Sequence, residues 1–486
     1  VAGVENLKKR GGKVIIIDIR RTPAAEHLAD IFLHIKPGTD GALALGMAKL
    51  IIDNGWADMD YVNSYTHGFE EYKALADQYP LDKVCAITGL KAEDVMEATR
   101  VFATNGPACI NFSASALVHH INGFNAHRAI LCLSALTGNF DRQGGNYPVP
   151  PSYLKQPGGF KTRDTQFRTM LQPKSPERIG AEKFPLWNAN YEEAQVMDLL
   201  RQLEEDTPYP VRAIFGLGMN AKMFPETQRL LQVMSEKLDF ILDVDIIMTQ
   251  TAKYADIVLP ACTSMERSEL KCYRGGWLYL TQPVIPPMYE SKSDVQILFD
   301  LVKVMEIDDP LLQSGYDACI DWIIDGTGLT VADLKCGKPV KVPTAKWPVK
   351  PGNALKNGFK TPTGKFEFYC SAIAAIDPKY GLDPLPSYRD SLADMDPEVV
   401  KQYPYYLCTG SREAFAIHSR LHTTPFTRSL RPFPTCDINR SDAEKLGIQE
   451  GDKVTLSSPY GQICMQAHLT WKIAPGVVLA QHGYTE

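Results

Sequence analysis

Carboxylates and a glycine-rich turn follow short apolar runs at several places in this sequence. Asp18 ends the run at residues 13–18, Asp245 follows residues 240–244, and Gly216-Leu-Gly-Met-Asn220 follows residues 211–215. Glycines let a backbone approach a phosphate, and the N–H groups of a following helix bind it. A carboxylate there accepts hydrogen bonds from a ribose hydroxyl or a purine amino group. These residues predict nucleotide binding. The alternative interpretation of the glycine pair is a sharp turn with a helix cap.

A second charged turn lies near the N-terminus. Residues 31–35 form an apolar run that is followed by Lys36-Pro-Gly-Thr-Asp40. Asp18 and Asp40 thus follow neighbouring predicted strands, and the basic residues beside them are Arg20, Arg21 and Lys36. Carboxylates suit a guanine edge or a ribose, and cations suit phosphates. The alternative is that these are surface charges on loops, with Asp40 as a helix N-cap.

Two adjacent histidines, His119 and His120, follow the apolar run at residues 108–112, which predicts another buried strand. Histidine changes its charge near neutral pH, so either side chain could donate a proton to a substrate or product oxygen. We therefore take both as catalytic candidates. The alternative is that they are hydrogen-bonded, partly buried side chains with no catalytic role.

The elements that must position these residues alternate between strand and helix patterns. Apolar runs at residues 211–215, 240–244 and 256–260 are separated by segments with helical periodicity. Residues 1–53 repeat this order, with runs at 13–18 and 31–35 and helices from Pro23 and over 41–54. Such alternation predicts parallel sheets with helices on their faces, and ligands bind at the carboxyl ends of such strands.

The remaining segments have other patterns. Short strand runs at residues 405–409, 463–469 and 477–480, with a helix over 440–446, predict a mostly β, barrel-like C-terminal module. We interpret residues 146–190 as a long surface loop, because they are rich in Pro and Gly and lack periodicity. Residues 261–280 also have a loop-like pattern. The predicted domains are residues 1–195, 196–305 and 401–486, with a connector at 306–400.

Composition limits the classes of partner. The chain has 486 residues, 44% hydrophobic and 22% charged, with a net charge of −6. The length is typical of about three domains, and the composition is typical of a globular protein and excludes no catalytic class. The negative net charge does not favour binding to nucleic acid or to an anionic membrane. No apolar stretch is long enough for membrane insertion. The eleven cysteines include no C-x-x-C pair, so we predict no metal ligands within this chain.

Several motifs occur in an order that defines a family resemblance. They are Val14-Ile-Ile-Ile-Asp-Ile-Arg-Arg-Thr22, Pro37-Gly-Thr-Asp-Gly-Ala-Leu43, Leu136-Thr-Gly-Asn139 with Gly144-Gly145, Gly216 to Asn220, Asp245 with Thr251-Ala252, Ala255-Asp-Ile-Val-Leu-Pro260, Thr409-Gly-Ser-Arg412, His418-Ser419 and Gly451-Asp452. Over nearly its whole length the chain resembles the molybdopterin oxidoreductases of the dimethyl sulfoxide reductase family. The resemblance implies an α/β fold with two Rossmann-like parallel-sheet domains and a C-terminal double-psi β-barrel. It also implies molybdenum or tungsten held by two molybdopterin guanine dinucleotides, which carry the difficult chemistry.

The resemblance assigns roles by position in this sequence. The first dinucleotide would be held by Asp18, Arg20, Thr22, Gly38, Thr39 and Asp40, and the second by Gly216, Asn220, Val244 and Asp245. The residues that would close over the pterin ends are Thr409, Gly410, Arg412, His418 and Ser419. His119 and His120 would be proton donors in a substrate funnel between the α/β domains.

The departures from the family pattern narrow the expected function. The family's N-terminal cysteines for a [4Fe–4S] cluster and its protein ligand to the metal have no counterpart here. We therefore expect both to lie in an N-terminal region outside this sequence, which looks like an internal fragment of a longer subunit. The chain also lacks the Arg-Gly…Asn-Val-Gln-Gly pattern of formate dehydrogenases and nitrate reductases, which counts against formate or nitrate as substrate.

Oxygen-atom or hydroxyl transfer, or hydration, remains as the implied reaction. The substrate would be a small molecule such as a sulfur oxyanion or polysulfide, an acetylene-like compound or a catechol-like compound. A ferredoxin-like iron–sulfur subunit is the implied electron-transfer partner. One alternative is a non-catalytic subunit of a respiratory complex that keeps the molybdopterin fold. Another is a nicotinamide dehydrogenase, but the second nucleotide unit and the barrel do not fit it.

Overall fold

The computed structural model describes residues 2–112, 117, 119–148, 178–191, 194–273, 275–343, 350–410, 415, 421–422 and 424–484. The strands in these ranges are β1 (Ile15–Asp18), β2 (Ile31–His34), β3 (Thr66–His67), β4 (Ala213–Leu217), β5 (Phe240–Asp245), β6 (Ile257–Pro260), β7 (Leu270–Tyr273), β8 (Trp277–Leu280), β9 (Val340–Lys341), β10 (Phe366–Glu367), β11 (Tyr406–Thr409), β12 (Thr435–Asn439), β13 (Lys453–Ser458), β14 (Gly461–Thr470) and β15 (Val477–Ala480).

The α-helices span Ala2–Lys9, Pro23–His27, Asp40–Asp53, Met59–Tyr65, Phe69–Ala76, Leu81–Thr88, Ala92–Thr104, Gly123–Leu136, Pro185–Asn190, Leu199–Glu205, Thr227–Lys237, Asp294–Val304, Pro310–Gln313, Tyr316–Ile324, Val331–Leu334, Asn353–Asn357, Ser371–Ala374, Pro397–Gln402, Pro425–Leu430 and Arg440–Leu446. Single 3-10 turns occur at Val196–Asp198, Ala221–Met223, Ala252–Tyr254 and Pro378–Tyr380. No helix in the described ranges is both long enough and apolar enough to cross a membrane.

The chain forms two compact units. Residues 1–148 and 350–484 belong to the first unit, and residues 149–349 belong to the second. The predicted connector at residues 306–400 contributes to both units. The predicted division into domains at 195, 305 and 400 has boundaries that differ from those of the two units, and it stays a prediction.

The first unit is built around the helix Asp40–Asp53. This helix is apolar on nearly all sides, with residues 41–48 buried, as expected for a helix that is surrounded by other elements. Its Gly46 lets the helix Leu81–Thr88 approach closely, because a Cβ atom at this position would lie 2.4 Å from Val84 Cγ2. The parallel pair β1 and β2 lies beside it, with Asp18 opposite His34 at the carboxyl ends. The helix therefore begins at the strand ends that carry the predicted site.

The predicted strand at residues 108–112 is wrong. The backbone groups of this segment bond to side-chain amides instead of to a neighbouring strand. Ala108 N–H donates to Asn139 Oδ1 at 3.0 Å, and Ile110 exchanges two hydrogen bonds of 2.8 Å with the side chain of Asn146. The segment is largely apolar, but the partners of its backbone are loop residues.

The Leu136-Thr-Gly-Asn139 motif and Gly144-Gly145 lie in the same loop. A Cβ atom on Gly145 would lie 1.7 Å from the carbonyl oxygen of Asn139, and one on Gly138 would lie 2.2 Å from Asp58 Oδ2. Glycine is required at these positions by the close approach of other atoms. The glycines of the motif thus allow Asn139 and Asp58 to pack closely against this loop of the first unit.

The second unit contains the parallel sheet β4-β5-β6. Gly216 lies opposite Asp243, and Asp245 lies opposite Pro260. The helix Thr227–Lys237 packs its apolar face on this sheet, and the buried residues of that face are Leu230, Leu231, Val233 and Met234. The predicted helical segment at residues 249–254 is reduced to the single turn Ala252–Tyr254. The predicted α/β pattern of this region is otherwise confirmed.

The predicted loop at residues 261–280 is partly wrong, because β7 and β8 form an antiparallel hairpin there. Gly275 and Gly276 both have positive φ angles, of 94° and 72°, which allow the chain to reverse between the two strands. The hairpin packs on the helices Tyr316–Ile324 and Val331–Leu334 in a separate apolar core. The predicted connector therefore begins with packed secondary structure.

The C-terminal module is a curled five-stranded sheet of order β11-β15-β12-β14-β13. Its pairing is mixed, since β12 is parallel to β14 and antiparallel to β15. The buried core of the sheet consists of Cys436, Ile438, Ala443, Met465, Ala467, Val478 and Ala480. The mostly β character predicted for this region is confirmed.

Candidate functional site

Asp18 lies at the carboxyl end of β1, where the chain turns into a short helix. Its Oδ1 accepts a hydrogen bond of 3.0 Å from the backbone N–H of Arg20. Thr22 caps the helix Pro23–His27, because its Oγ1 accepts from the N–H of Ala25 at 3.3 Å. Burial raises the pKa of Asp18, and the backbone N–H and the charge of Arg20 oppose this effect. The carboxyl group is thus held at the strand end that the sequence predicted.

The turn at residues 36–40 follows β2. Gly38 has a φ of +75°, and Thr39 donates from Oγ1 to the carbonyl oxygen of Lys36 at 2.7 Å. Thr39 occupies the N-cap position and Asp40 is the first helical residue, so the alternative role of Asp40 as N-cap is wrong. Burial raises the pKa of Asp40, its own backbone N–H opposes this, and the charge of Asp18 raises the pKa further. The two carboxyl groups therefore interact electrostatically.

Sequence reasoning missed His127, whose charge lowers the pKa of Asp40. It follows Ala126, whose Cα lies 3.7 Å from the position of a Cβ atom on Gly41. The helix Gly123–Leu136 thus brings His127 toward the N-terminal end of the helix Asp40–Asp53. Helical periodicity can place a residue on one face, but the partner of that face depends on the packing of the two helices.

His120 lies beside the Gly38 turn. A Cβ atom on Gly38 would be 3.7 Å from His120 Nδ1, and the same Nδ1 accepts a hydrogen bond of 3.2 Å from the N–H of Asn122. The proton of neutral His120 is therefore on Nε2. This Nε2 is buried and has no partner among the residues that the structure describes. Burial lowers the pKa of His120, and the charge of exposed His119 adds to this effect.

Asn122 is a second residue that sequence reasoning missed. Its side chain is buried and pairs with the backbone of Arg389: Nδ2 donates to the carbonyl oxygen at 2.6 Å, and Oδ1 accepts from the N–H at 2.9 Å. This pairing fixes the backbone that donates to His120. The partner is 267 residues away in the sequence, so no local pattern could have identified it.

A backbone hydrogen bond connects the turn that follows β4 to the neighbouring strand β5. Gly218 has a φ of +63°, and its N–H donates to the carbonyl oxygen of Val244 at 2.8 Å. Asn220 precedes the 3-10 turn Ala221–Met223, and the N–H of Ala221 donates to Thr251 Oγ1 at 3.0 Å. The side chain of Val244 is buried, so this residue supports the turn through its carbonyl group. A Cβ atom on Gly218 would have no neighbour within 4 Å in the part of the chain that the structure describes, so the turn has free space at this position.

Asp245 ends β5 in the same region of the second unit. Its Oδ1 accepts a hydrogen bond of 2.7 Å from the N–H of Ile246. The side chain is half-buried, and residues 246–248 after it are exposed. The structure thus places Gly216, Asn220, Val244 and Asp245 on adjoining segments of one sheet edge.

Asp243 is a further acidic residue of β5 that sequence reasoning missed. It is 0% exposed, and neither carboxyl oxygen has a hydrogen-bond partner in the described part of the chain. Burial raises the pKa of Asp243 and the charge of Asp245 raises it further. The backbone N–H groups of Met219 and Val244 oppose the shift, although neither completes a hydrogen bond to the carboxyl group. The only sequence signal was an aspartate inside an otherwise apolar strand.

The predicted site residues of the C-terminal module begin at Thr409, the last residue of β11. Gly410 has a φ of +93°, and its N–H donates to the carbonyl oxygen of Ala480 at 3.1 Å. A Cβ atom on Gly410 would lie 3.2 Å from His482 Nδ1, so Gly410 adjoins His482. The predicted residues Arg412, His418 and Ser419 lie outside the described residues.

No group of three or more His, Cys, Asp or Glu side chains that could hold a metal ion occurs within the described ranges. The candidate residues form three groups, near Asp18 and Gly38, near Gly216 and Asp245, and near Gly410. The group near Gly38 and the group near Gly216 have the same arrangement: a glycine turn and carboxyl groups lie at the carboxyl ends of parallel strands. Such an arrangement can bind the phosphates and the base of a nucleotide.

Comparison with known protein families agrees with this geometry. The family model "Molybdopterin oxidoreductase" matches residues 4–304, and "Molydopterin dinucleotide binding domain" matches residues 405–486. The chain belongs to the molybdopterin oxidoreductases, an enzyme family, and its relatives are of the dimethyl sulfoxide reductase type. The resemblance inferred from the sequence motifs is therefore confirmed.

Two relatives and one solved structure illustrate the similarity. Acetylene hydratase from Syntrophotalea acetylenica is 29% identical over 98% of this chain and 67% of its own length. Dimethyl sulfoxide reductase DmsA from Escherichia coli (strain K12) is 27% identical over 98% of this chain and 63% of its own length. The structure of acetylene hydratase from Pelobacter acetylenicus matches 99% of this chain and 68% of that chain, with 28% identity and a TM-score of 0.80. The chain spans about two thirds of the length of the curated relatives that it matches.

Proposed function

We propose that this chain is part of the catalytic subunit of a molybdenum or tungsten enzyme that binds two molybdopterin guanine dinucleotides. One observation carries the proposal: two separate glycine turns, at Gly38 and at Gly216 to Gly218, follow parallel strands and are each accompanied by carboxyl groups. One such turn is sufficient for one dinucleotide, and two turns suit a pair. The match to a dinucleotide-binding domain at residues 405–486 supports the same cofactor.

The residues present fit such a cofactor. Among the described residues, no atom lies within 4 Å of a Cβ position on Gly218, and the nearest atom to one on Gly38 is 3.7 Å away. This space beside both turns supports the approach of a diphosphate to the backbone. Asp18, Asp40 and Asp245 are suited to the N–H groups of guanine or to ribose hydroxyls, and Arg20 to a phosphate. The buried Nε2–H of His120 offers a hydrogen bond to an anionic or carbonyl oxygen beside Gly38.

We extend the proposal to the finer architecture and to the pterin ends. The parallel order of β4, β5 and β6 supports a Rossmann-like domain, and the mixed pairing of β12 supports a double-psi barrel for the C-terminal sheet. In this arrangement Thr409, Gly410, Arg412, His418 and Ser419 close over the pterins. When bound, the metal centre supplies oxygen-atom transfer or the activation of water.

The reaction that we propose is oxygen-atom or hydroxyl transfer, or hydration, on a small molecule. Sulfur oxyanions or polysulfide, acetylene-like compounds and catechol-like compounds are the candidate substrates. Similarity to acetylene hydratase over 98% of the chain makes hydration of an acetylene-like compound the first activity to assay. In each case His119 and His120 would be candidate proton donors near the substrate.

We also propose that the complete subunit carries a [4Fe–4S] cluster and the protein ligand to the metal outside this sequence, and that a ferredoxin-like subunit exchanges electrons with it. The alternative of a structural subunit without the pterin cofactor predicts a protein that contains iron but neither molybdenum nor tungsten.

The test is metal and nucleotide analysis of the purified native protein. Elemental analysis should find molybdenum or tungsten, and acid hydrolysis should release two guanine nucleotides per metal. Acetylene hydration and dimethyl sulfoxide reduction assays then separate the reaction classes. Absence of both metals and of guanine nucleotide from active, native material would exclude the proposal and favour the structural subunit.

A further inference from the structure

Asp243 has an environment that a carboxyl group rarely occupies in a folded protein. It is fully buried, and both oxygens lack a hydrogen-bond partner among the described residues. Burial of an unpaired carboxylate costs several kcal/mol, so such groups are kept neutral or are retained for a function. Asp243 is not among the residues that the family resemblance assigned to the cofactor.

The carboxyl group of Asp243 lies beneath the Gly216 turn. Gly216 is its cross-strand neighbour in the sheet, and a Cβ atom on Gly216 would lie 2.9 Å from Asp243 Oδ1 and 2.8 Å from Met219 Cβ. The acid therefore occupies the space that a side chain at position 216 would need.

Few charged groups face Asp243. Asp245 is the one acidic neighbour with an effect on its pKa, and the amides of Met219 and Val244 are the polar groups that oppose this effect. Strands β4 and β6 carry no titratable side chain, and the face of the helix Thr227–Lys237 toward the sheet is apolar. The 3-10 turn Ala252–Tyr254 also contacts β5, and its Lys253 and Tyr254 are exposed. Among the described residues, no cation contributes to the pKa of Asp243.

We propose that Asp243 is a positioning residue for the second dinucleotide, and that it supports the Gly216 turn as a neutral carboxylic acid. A neutral group fills the space under the turn without adding a negative charge next to the diphosphate above it. Ionisation would place that charge under the turn and repel the ligand. This inference rests on the proposed binding of a second guanine dinucleotide at Gly216 and Asp245.

The first test measures thermal unfolding of the native protein against pH for the wild type, for Asp243→Asn and for the control Asp239→Asn, at an exposed carboxylate that precedes β5. The raised pKa means that the neutral acid contributes stability below its unfolded-state value of 3.8, and that this contribution is lost as the pH rises through the folded-state value. The wild type should therefore lose melting temperature relative to Asp243→Asn as the pH rises, while Asp239→Asn should follow the wild type. Parallel curves for the wild type and Asp243→Asn would overturn the neutral state.

The second test measures guanine nucleotide retained by the holoprotein after dialysis at each pH. The wild type should release the nucleotide roughly three- to tenfold faster than Asp243→Asn at alkaline pH, and at the same rate at acidic pH. Equal release at every pH, from proteins that both bind the nucleotide, would overturn the positioning role alone. Absence of guanine nucleotide from the native wild type would instead overturn the proposed function, and the positioning role with it.

Discussion

The backbone N–H of Asn122 donates a hydrogen bond to Nδ1 of His120, and the side chain of Asn122 is itself paired with the backbone of Arg389. This chain of contacts sets the tautomer of His120. The proton is on Nε2, which is buried beside the Gly38 turn and has no partner in the described part of the molecule. Of the two catalytic candidates, His120 is therefore the one whose environment orients a donor toward the proposed cofactor site.

His120→Ala should lower kcat by about 10²–10⁴-fold if the side chain takes part in proton transfer, with the metal content unchanged. Steady-state kinetics and elemental analysis of the same preparations measure both effects. His120→Gln, whose side-chain amide can place an N–H near the Nε2 position, should recover part of the activity. His119→Ala provides the matched exposed control, and a larger loss in that variant would assign the main role to His119.

Asp245→Ala should reduce bound guanine dinucleotide, because the purine edge would lose a charged acceptor worth about 1.5–3 kcal/mol. The loss corresponds to roughly a ten- to hundredfold weaker association, measured by nucleotide analysis after dialysis. Asp239→Ala is the control, since this exposed carboxylate precedes β5 and pairs with Arg212. Cofactor content that is equal in both variants would remove Asp245 from the site.

Gly145→Ala should destabilise the first unit by about 3 kcal/mol or more, because the added Cβ atom would overlap the carbonyl oxygen of Asn139. Chemical denaturation followed by circular dichroism measures the free energy of unfolding. Gly3→Ala is the control, since nothing lies within 4 Å of its Cβ position in the helix Ala2–Lys9 and alanine favours the helix by up to about 1 kcal/mol. A well-tolerated Gly145→Ala would show that the loop can move away.

Glu266 should stabilise the second unit down to low pH. The hydroxyl group of Thr263, at 2.6 Å, and the backbone amides of Met288 and Thr263, each at 2.7 Å, lower the pKa of Glu266 to about 2. A lowered folded-state pKa gives stability that is present above the unfolded value of 4.5 and is lost as the pH falls toward about 2.

Glu266→Gln should therefore lower the melting temperature near neutral pH and remove this part of the acid dependence. Thermal unfolding across the acid range measures it, and Glu290→Gln, at an exposed neighbouring position, is the control. An unchanged acid dependence in Glu266→Gln would show that the hydrogen bonds do not stabilise the ionised form.

Local sequence patterns predicted much of the fold. The helix Arg440–Leu446 and the strand Val477–Ala480 were predicted at their observed bounds, and β5 was predicted to end at Asp245. The hydrophobic periodicity of these segments matches the pattern of burial in the folded chain. Local conformational preference and tertiary packing therefore favour the same secondary structure in them. The segments 108–112 and 270–280 were not predicted correctly, because side-chain amides and a glycine-rich reversal determine their partners.

The α/β order of the chain, the acidic residues at its strand ends and its family could all be predicted from the amino-acid sequence. These properties depend on residue type and spacing along the chain. The three-dimensional fold was needed to show that Asp243 lies next to Gly216, that Asn122 orients His120 and that His127 acts on Asp40. These relationships depend on cross-strand register, on helix packing and on contacts between distant residues, none of which has a local signature in the sequence.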